Sequence, residues 1–367
     1  MATYCIPLTE PWNQSLDPID KFLKSNYSKD TPIFVATQYM WILHNEVIEN
    51  ILSYIQKFEI QCKENNLTLA QNFRLILNRS INAEKLKTIL DSQYGYNMVS
   101  VIDFFALRSH SYESNQPLPE WNSDSQKALI LFGKMSRGYR CEILKDMVDK
   151  GQLNDKSALW SLNFNHPKKH VNEKTYNNID VKKYSIYQRY PDEREFKFYG
   201  EQGYLGYPYN KDLYTTTFMS TIMETCGDHL NDQETFLSEK IWRAIANKHP
   251  FIVVCNPIHL EFLNSKGINT FESYYLEGSD YNVYELIRNF SKYYVRLRDY
   301  IKNNPEKVNA IVNSNLKAYQ RLVKSDTDTI KWFIRTPILG LKKSSGIISE
   351  LSFRDFIRDW EFQQYKI

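Results

Sequence analysis

Ser238, Glu239 and Lys240 stand in a row ahead of Ile241, Ala244 and Ile245, which recur at helical spacing, and Pro250 closes the segment. The spacing predicts a helix that starts at the triplet. Ser238 is suited to cap it. A carboxylate such as Glu239 can accept two hydrogen bonds from a ribose diol. The Lys240 ammonium can neutralise a diphosphate, and the N–H groups of a helix start favour the same anion. Glu239 and Lys240 could equally be a solvated first-turn pair, and Ser238 would cap the helix with or without a ligand.

The elements around the triplet set its context. Pro250 begins an apolar run, Phe251-Ile-Val-Val254, that reads as a covered strand. Phe218-Met-Ser-Thr-Ile-Met-Glu224 reads as another strand ending on a carboxylate, and Ala128-Leu-Ile-Leu-Phe132 as a third. That third strand runs into the polar turn Gly133-Lys-Met-Ser-Arg-Gly-Tyr-Arg140 and then an amphipathic helix over 141–150. Toward the N-terminus, strands are expected at Pro32–Ala36, Phe73–Leu77 and Met98–Phe105. Helices are expected over 41–62 and from a cap at Asn82 to Leu90. Alternating strands and helices predict an α/β fold with mainly parallel sheets.

The segment around Phe236, Ser238, Glu239 and Lys240 resembles the donor-binding half of two-domain glycosyltransferases of the GT-B type, closest to the α-1,3-fucosyltransferase-like group. In that group an aromatic residue, Ser or Thr, Glu and Lys precede a helix and an apolar strand. The later succession Leu260, Leu263, Gly267, Thr270 and Phe271 is similar to glycosyltransferases of large bacteriophages. The resemblance spans roughly residues 125–285 and implies two Rossmann-like domains facing a cleft. It also implies that Arg140, with Arg137 second and Lys134 beside them, helps hold a donor diphosphate, and that Glu224 and Phe236 belong to the donor site. One departure stands out. The strand-end acid is followed by Thr225 and Cys226, where the group has Asn and a small residue, so fucose is not implied as the sugar.

The expected domains are an acceptor-side α/β domain over 1–120 and a nucleotide-sugar domain over 121–285. Helices over 286–367 would return to the first domain, with a final helix over 353–362. The Pro- and Ser-bearing stretch 117–124 reads as the linker. Residues 164–210 show no sustained period and read as loops. Within them Tyr204–Tyr209 could line a sugar pocket, although a loop packed by its own tyrosines is the commoner arrangement.

Glycosyl transfer needs charge on a leaving diphosphate stabilised and an acceptor hydroxyl deprotonated. Lys240 and Arg140 would supply the first by electrostatic preorganisation. Asp103, at the end of a first-domain strand, is the candidate base, because ligands collect at the carboxyl ends of open parallel sheets. A strand-end Asp satisfied by a neighbouring turn is the plainer reading. His44 and Glu46 read as helix surface, and His229 and His249 as structural. No Asp-x-Asp motif has strand context, and Asp192-Glu193 sits in a polar stretch. Transfer without a metal or cofactor is expected, with a nucleotide sugar as co-substrate.

The chain has 367 residues, a net charge of +3 and five cysteines with no metal-ligand spacing. That charge is too small to imply nucleic acid by itself. Basic residues nevertheless crowd the C-terminal part, among them Arg288, Lys292, Arg296, Arg298 and Lys302, where a solvated helix face would look much the same. Cysteine usage reads as reduced and cytosolic, and no apolar run is long enough to span a bilayer. A cytoplasmic glycosyltransferase is the leading expectation. The acceptors considered are hydroxymethylated or hydroxylated pyrimidine in double-stranded phage DNA, or a glycan or lipid-linked sugar. A non-catalytic nucleotide- or DNA-binding protein is the alternative of another class.

Overall fold

The computed structural model describes residues 3–8, 34–39, 45–64, 73–94, 98–103, 105–107, 109, 121–133, 138–153, 158–162, 212–224 and 237–335. The chain divides into two compact units. The first is Met1–Arg108, Asp232–Phe236 and Val323–Ile367, and the second is Ser109–Asn231 and Leu237–Leu322.

The first unit carries a parallel sheet of β1 (Thr3–Leu8), β2 (Phe34–Tyr39), β3 (Phe73–Asn78) and β4 (Val99–Ile102), in that spatial order. Crossover helices α1 (Asn45–Glu64) and α2 (Ile81–Tyr94) join successive strands, as parallel pairing requires. β1 was not expected: the first strand was expected at Pro32–Ala36, and the six-residue run Thr-Tyr-Cys-Ile-Pro-Leu shows no clear strand pattern. The cap of α2 also differs from expectation. Ser80 Oγ accepts the Ala83 N–H at 3.1 Å, and Asn82 is a buried residue inside the first turn. β4 (Val-Ser-Val-Ile) is buried at all four positions, Ser100 included, as a strand covered on both faces would be.

In the second unit β5 (Ala128–Gly133), β6 (Ala158–Leu162), β7 (Ser220–Met223) and β8 (Phe251–Val254) form a parallel sheet in the order β6-β5-β7-β8. β6 was missed, because Trp160 and Ser161 interrupt a run of only five residues. α3 (Gly138–Asp149) follows β5 and begins three residues before the expected start, so Tyr139 and Arg140 fall in its first turn. α4 (Asp212–Thr215) leads to β7. α5 (Glu239–Ala246) buries Ile241, Trp242, Ala244 and Ile245, and Trp242 stacks on Tyr319 with ring centroids 5.9 Å apart.

α6 (Pro257–Ser265) ends at Gly267, whose φ of 78° is the left-handed conformation that favours glycine. Phe271, fully buried with φ 65°, packs edge-on against Phe251 ahead of α7 (Glu272–Leu276). The Gly267–Phe271 corner is pinned from α10 (Pro305–Arg335). Asn315 Oδ1 accepts the Asn269 N–H at 2.7 Å, and Asn315 Nδ2 donates to Asn269 O at 2.8 Å. Leu260, Leu263, Gly267 and Phe271 thus have a packing and turn role. α8 (Val283–Arg288) and α9 (Phe290–Asn303) pack on α3, where Asp146 accepts the Ser291 N–H at 2.7 Å. The division between the units falls inside α10, whose residues belong to the second unit through Leu322 and to the first from Val323. The linker segment 117–120 and the helix expected over 353–362 lie outside the described residues, whereas Trp121 donates to Phe218 O at 2.8 Å within the second unit.

His249, between α5 and β8, is a buried structural histidine. Nε2 faces Thr217 O at 2.8 Å and Nδ1 faces Ser220 Oγ at 2.6 Å, an arrangement that suits the neutral ring. Burial holds its pKa down to about 4 against an opposing pull from Thr217 O, and burial alone does the same for His259. Both folded pKa values lie below the unfolded value, so in the window between them the unfolded chain binds more protons. Stability is fully present above about pH 6.5 and is lost as pH falls toward 4, by roughly 3 kcal/mol for each ring. Urea unfolding across that window should show the decline, and a flat profile would contradict neutral buried rings.

Candidate functional site

The order β6-β5-β7-β8 has a topological switch point between β5 and β7, since the chain leaves β5 for one neighbour and later returns to the other side. In open α/β sheets the crevice at the carboxyl ends of such strands is where ligands collect. Two residues of α3, which follows β5, reach the end of β7. Arg140 donates from Nη2 to Met223 O and from Nε to Tyr139 Oη, both at 3.1 Å, and Tyr139 Oη donates to Glu224 O. The Arg140 guanidinium also lies 5.5 Å from the centroid of the Tyr139 ring. Arg140 is only 3% exposed, and its guanidinium is engaged by the Met223 carbonyl and the Tyr139 phenol.

Glu224 follows β7 directly. Its own N–H donates to Val254 O at 3.1 Å, extending the β7–β8 ladder by one residue, and its side chain is 1% exposed. Its carboxylate accepts the Ser238 N–H at 3.1 Å, which ties the strand end to the start of α5. Ser238 is the N-cap of α5, and its Oγ accepts the Lys240 N–H at 3.4 Å. The Lys240 ammonium folds back onto Ser238 Oγ at 2.9 Å and lies 3.6 Å from Glu239. Burial pushes the Glu224 carboxyl up from the usual range, opposed first by the positive charge of Lys240 and then by the Ser238 hydrogen bond, and reinforced by Glu239. Two charge types therefore meet at one sheet edge: the cations of Arg140 and Lys240, and the carboxylates of Glu224 and Glu239.

β8 ends beside the same corner. Cys255 is buried there, and its thiol pKa is raised well above the ordinary value by burial and then by the nearby Glu224 charge. Tyr281 Oη accepts the Cys255 N–H at 3.2 Å and faces Cys255 O at 3.0 Å, bracing the strand end. Sequence reasoning missed Tyr139 and Tyr281. An aromatic directly before Arg140 was the signal for the first, but it was read as part of a turn. Nothing local marks Tyr281, which acts on a strand end 26 residues away.

Asp103 belongs to the first unit, one residue past the end of β4. Arg79 Nε donates to its Oδ2 at 2.7 Å, and Arg79 also reaches Glu84 at 2.8 Å, Val101 O at 3.3 Å and Asp326 at 3.7 Å. Asp326, from α10, accepts the Asp103 N–H at 2.8 Å. Asp103 is thus held by charge and by backbone at a sheet's carboxyl edge. Lys134, Arg137 and Phe236 lie outside the described residues, as do His44, Asp192, Glu193, Tyr204–Tyr209 and His229.

Arg296 and Arg298 are committed to neighbours within the second unit. Arg296 pairs with Glu277 at 2.5 Å and donates to Tyr275 O at 3.4 Å, while Arg298 meets Asp299 at 3.0 Å and Gln152 at 3.2 Å. Among the described residues no helix is long and apolar enough to cross a membrane, and no group of three His, Cys, Asp or Glu side chains is placed to hold a metal ion.

No protein-family model matches the chain, and no curated protein matches it. Among solved structures, that of the DNA modifying enzyme β-glucosyltransferase, in the presence and absence of the substrate uridine diphosphoglucose, is similar with a TM-score of 0.40 and 12% identity. The alignment covers 88% of this chain and 77% of that one. The likeness is slight.

Proposed function

We propose that the protein is a glycosyltransferase of the GT-B type, moving a sugar from a nucleoside diphosphate donor to an acceptor hydroxyl. The observation that carries this reading is the meeting of Lys240, Glu239, Glu224 and Arg140 at the switch point of the second sheet. Charges placed there can bind a diphosphate and stabilise it as it leaves. In this reading Glu239 takes the ribose diol, and Lys240 faces the diphosphate together with Lys134 and Arg137 from the segment that follows β5 in sequence. Arg140 and Glu224 hold the crevice in shape and set its charge, with Phe236 beside the nucleotide. Acceptor chemistry is assigned to the first unit, with Asp103 as the base. A thermal-shift panel of UDP, GDP, CMP and their sugars tests the donor half directly. One nucleotide family should raise the melting temperature by mass action, and a flat response across the whole panel would overturn the reading.

The acceptor we favour is a hydroxymethylated or hydroxylated pyrimidine in double-stranded DNA, whose 5-substituent projects into the major groove. Its support is the sequence resemblance to phage glycosyltransferases and the basic C-terminal part. Since Arg296 and Arg298 are paired within the fold, the exposed Arg288 and Lys292 are the first positions to test for phosphate contact. Labelling of a saccharide but of no such DNA would transfer the acceptor role to a glycan or lipid-linked sugar.

Transfer should survive excess chelator. Cationic side chains and the helix start take the place that Mg²⁺ or Mn²⁺ fills where a carboxylate pair binds the diphosphate. Complete loss with EDTA, restored by added metal, would reverse this and direct attention to Asp192 and Glu193.

A further inference from the structure

We infer that the outward face of α10, with Lys307, Lys317 and Arg321 and joined by Lys266 from the end of α6, is a contact surface for the phosphate backbone of double-stranded DNA. The surface is separate from the α5 corner and independent of the donor reading.

α10 buries Val308, Val312, Leu316, Tyr319 and Leu322 on one side, and Lys307, Ser314, Lys317 and Arg321 stand exposed on the other. Steps of seven, three and four residues keep those four on one side of a helix. From Lys307 to Arg321 the stripe runs about 21 Å, at about 1.5 Å per residue. Its far end meets the Gly267–Phe271 corner. Arg321 Nη2 lies 3.8 Å from the position that a Cβ would take on Gly267. Exposed Lys266 precedes that glycine, with its ammonium 5.4 Å from the centroid of the Phe262 ring. Phe271 packs on Phe251, the first residue of β8, so this corner lies at the amino edge of the second sheet. Glu224 and the start of α5 lie at the carboxyl edge.

Lack of local counter-charge separates this face from an ordinary solvated one. Lysines on the surfaces of the helices elsewhere pair with a carboxylate one turn away: Lys63 with Glu59, Lys87 with Asp91, Lys145 with Asp149 and Lys324 with Asp328. Between Glu306 and Asp326 the chain has no carboxylate, and among the described residues Lys307, Lys317 and Arg321 meet no acidic partner. Lys317 and Arg321, four residues apart, form a like-charge pair on adjacent turns, which weakens a helix. A partner with fixed negative charges relieves that repulsion and releases its own counterions. A single phosphate cannot bridge cations spread over this length. A duplex can, because each strand carries a phosphate about every 3.4 Å, so that about 21 Å of helix passes roughly six of them. Contacts to phosphate carry no base information, so the surface holds DNA without choosing a sequence.

The test is fluorescence anisotropy of an unmodified duplex of about 20 base pairs with the full-length protein and no nucleotide sugar. Between about 50 and 200 mM salt the wild type should lose about 100-fold in affinity, as four phosphate contacts require. Lys317→Gln/Arg321→Gln should start from weaker binding and lose only about tenfold over the same range. Its melting temperature should not fall, because both side chains are exposed and repel each other. Lys87→Gln/Lys145→Gln removes the same net charge from paired positions and should bind as the wild type does. Four results would overturn the assignment: no duplex binding at the lower salt, unchanged affinity and salt dependence in Lys317→Gln/Arg321→Gln, an equal loss in Lys87→Gln/Lys145→Gln, or tighter binding to phosphatidylserine vesicles than to the duplex. None of them bears on the thermal-shift panel, which is read without DNA.

Discussion

Lys240→Ala is expected to slow sugar transfer by about 100-fold to 1000-fold, the usual cost of removing one preorganised charge from a developing anion. The fold should tolerate the change. Among the described residues the Lys240 ammonium meets Ser238 Oγ and Glu239, the Ser238 cap is built on a backbone N–H that alanine keeps, and alanine is a strong helix former. The buried face of α5, anchored by Trp242, is untouched. Initial rates of transfer beside thermal melting separate the two effects. A folded variant with the wild-type rate would take Lys240 out of the chemistry.

A loss of comparable or greater size is expected in Asp103→Asn, about 100-fold to 10,000-fold in kcat, because an amide keeps the shape of the base but cannot accept the acceptor's proton. Donor affinity should be unchanged, since the proposed donor groups belong to the second unit. The pairs with Arg79 and Asp326 make a structural role the rival account. Under it, Asp103→Asn would lower the melting temperature and leave kcat near its wild-type value, and that outcome would exclude Asp103 as the base.

The sequence made the α5 corner legible because its signals are local. A capping serine, a charged first turn, an apolar stripe and a closing proline lie within 13 residues of one another, and the structure places a helix and a buried strand there. Glu224 was legible for a similar reason, as a charge ending an apolar run. What escaped was non-local or weakly patterned. β1 and β6 are short edge strands with polar or aromatic interruptions, so no period emerges from them. The engagement of Arg140 with Met223 O spans 83 residues, and that of Asp103 with Asp326 spans 223, distances that no spacing rule encodes. The Leu260 to Phe271 succession, noticed through resemblance, has a physical cause in a glycine-closed helix and a buried phenylalanine.

A crystal structure of the protein soaked with the nucleoside diphosphate that the thermal-shift panel selects would test the central claim most directly. The diphosphate should lie at the first turn of α5, within hydrogen-bond distance of the Lys240 ammonium, with the ribose diol on Glu239 and the Glu224 carboxyl buried behind them. A diphosphate bound elsewhere, with the α5 corner unchanged, would contradict the account.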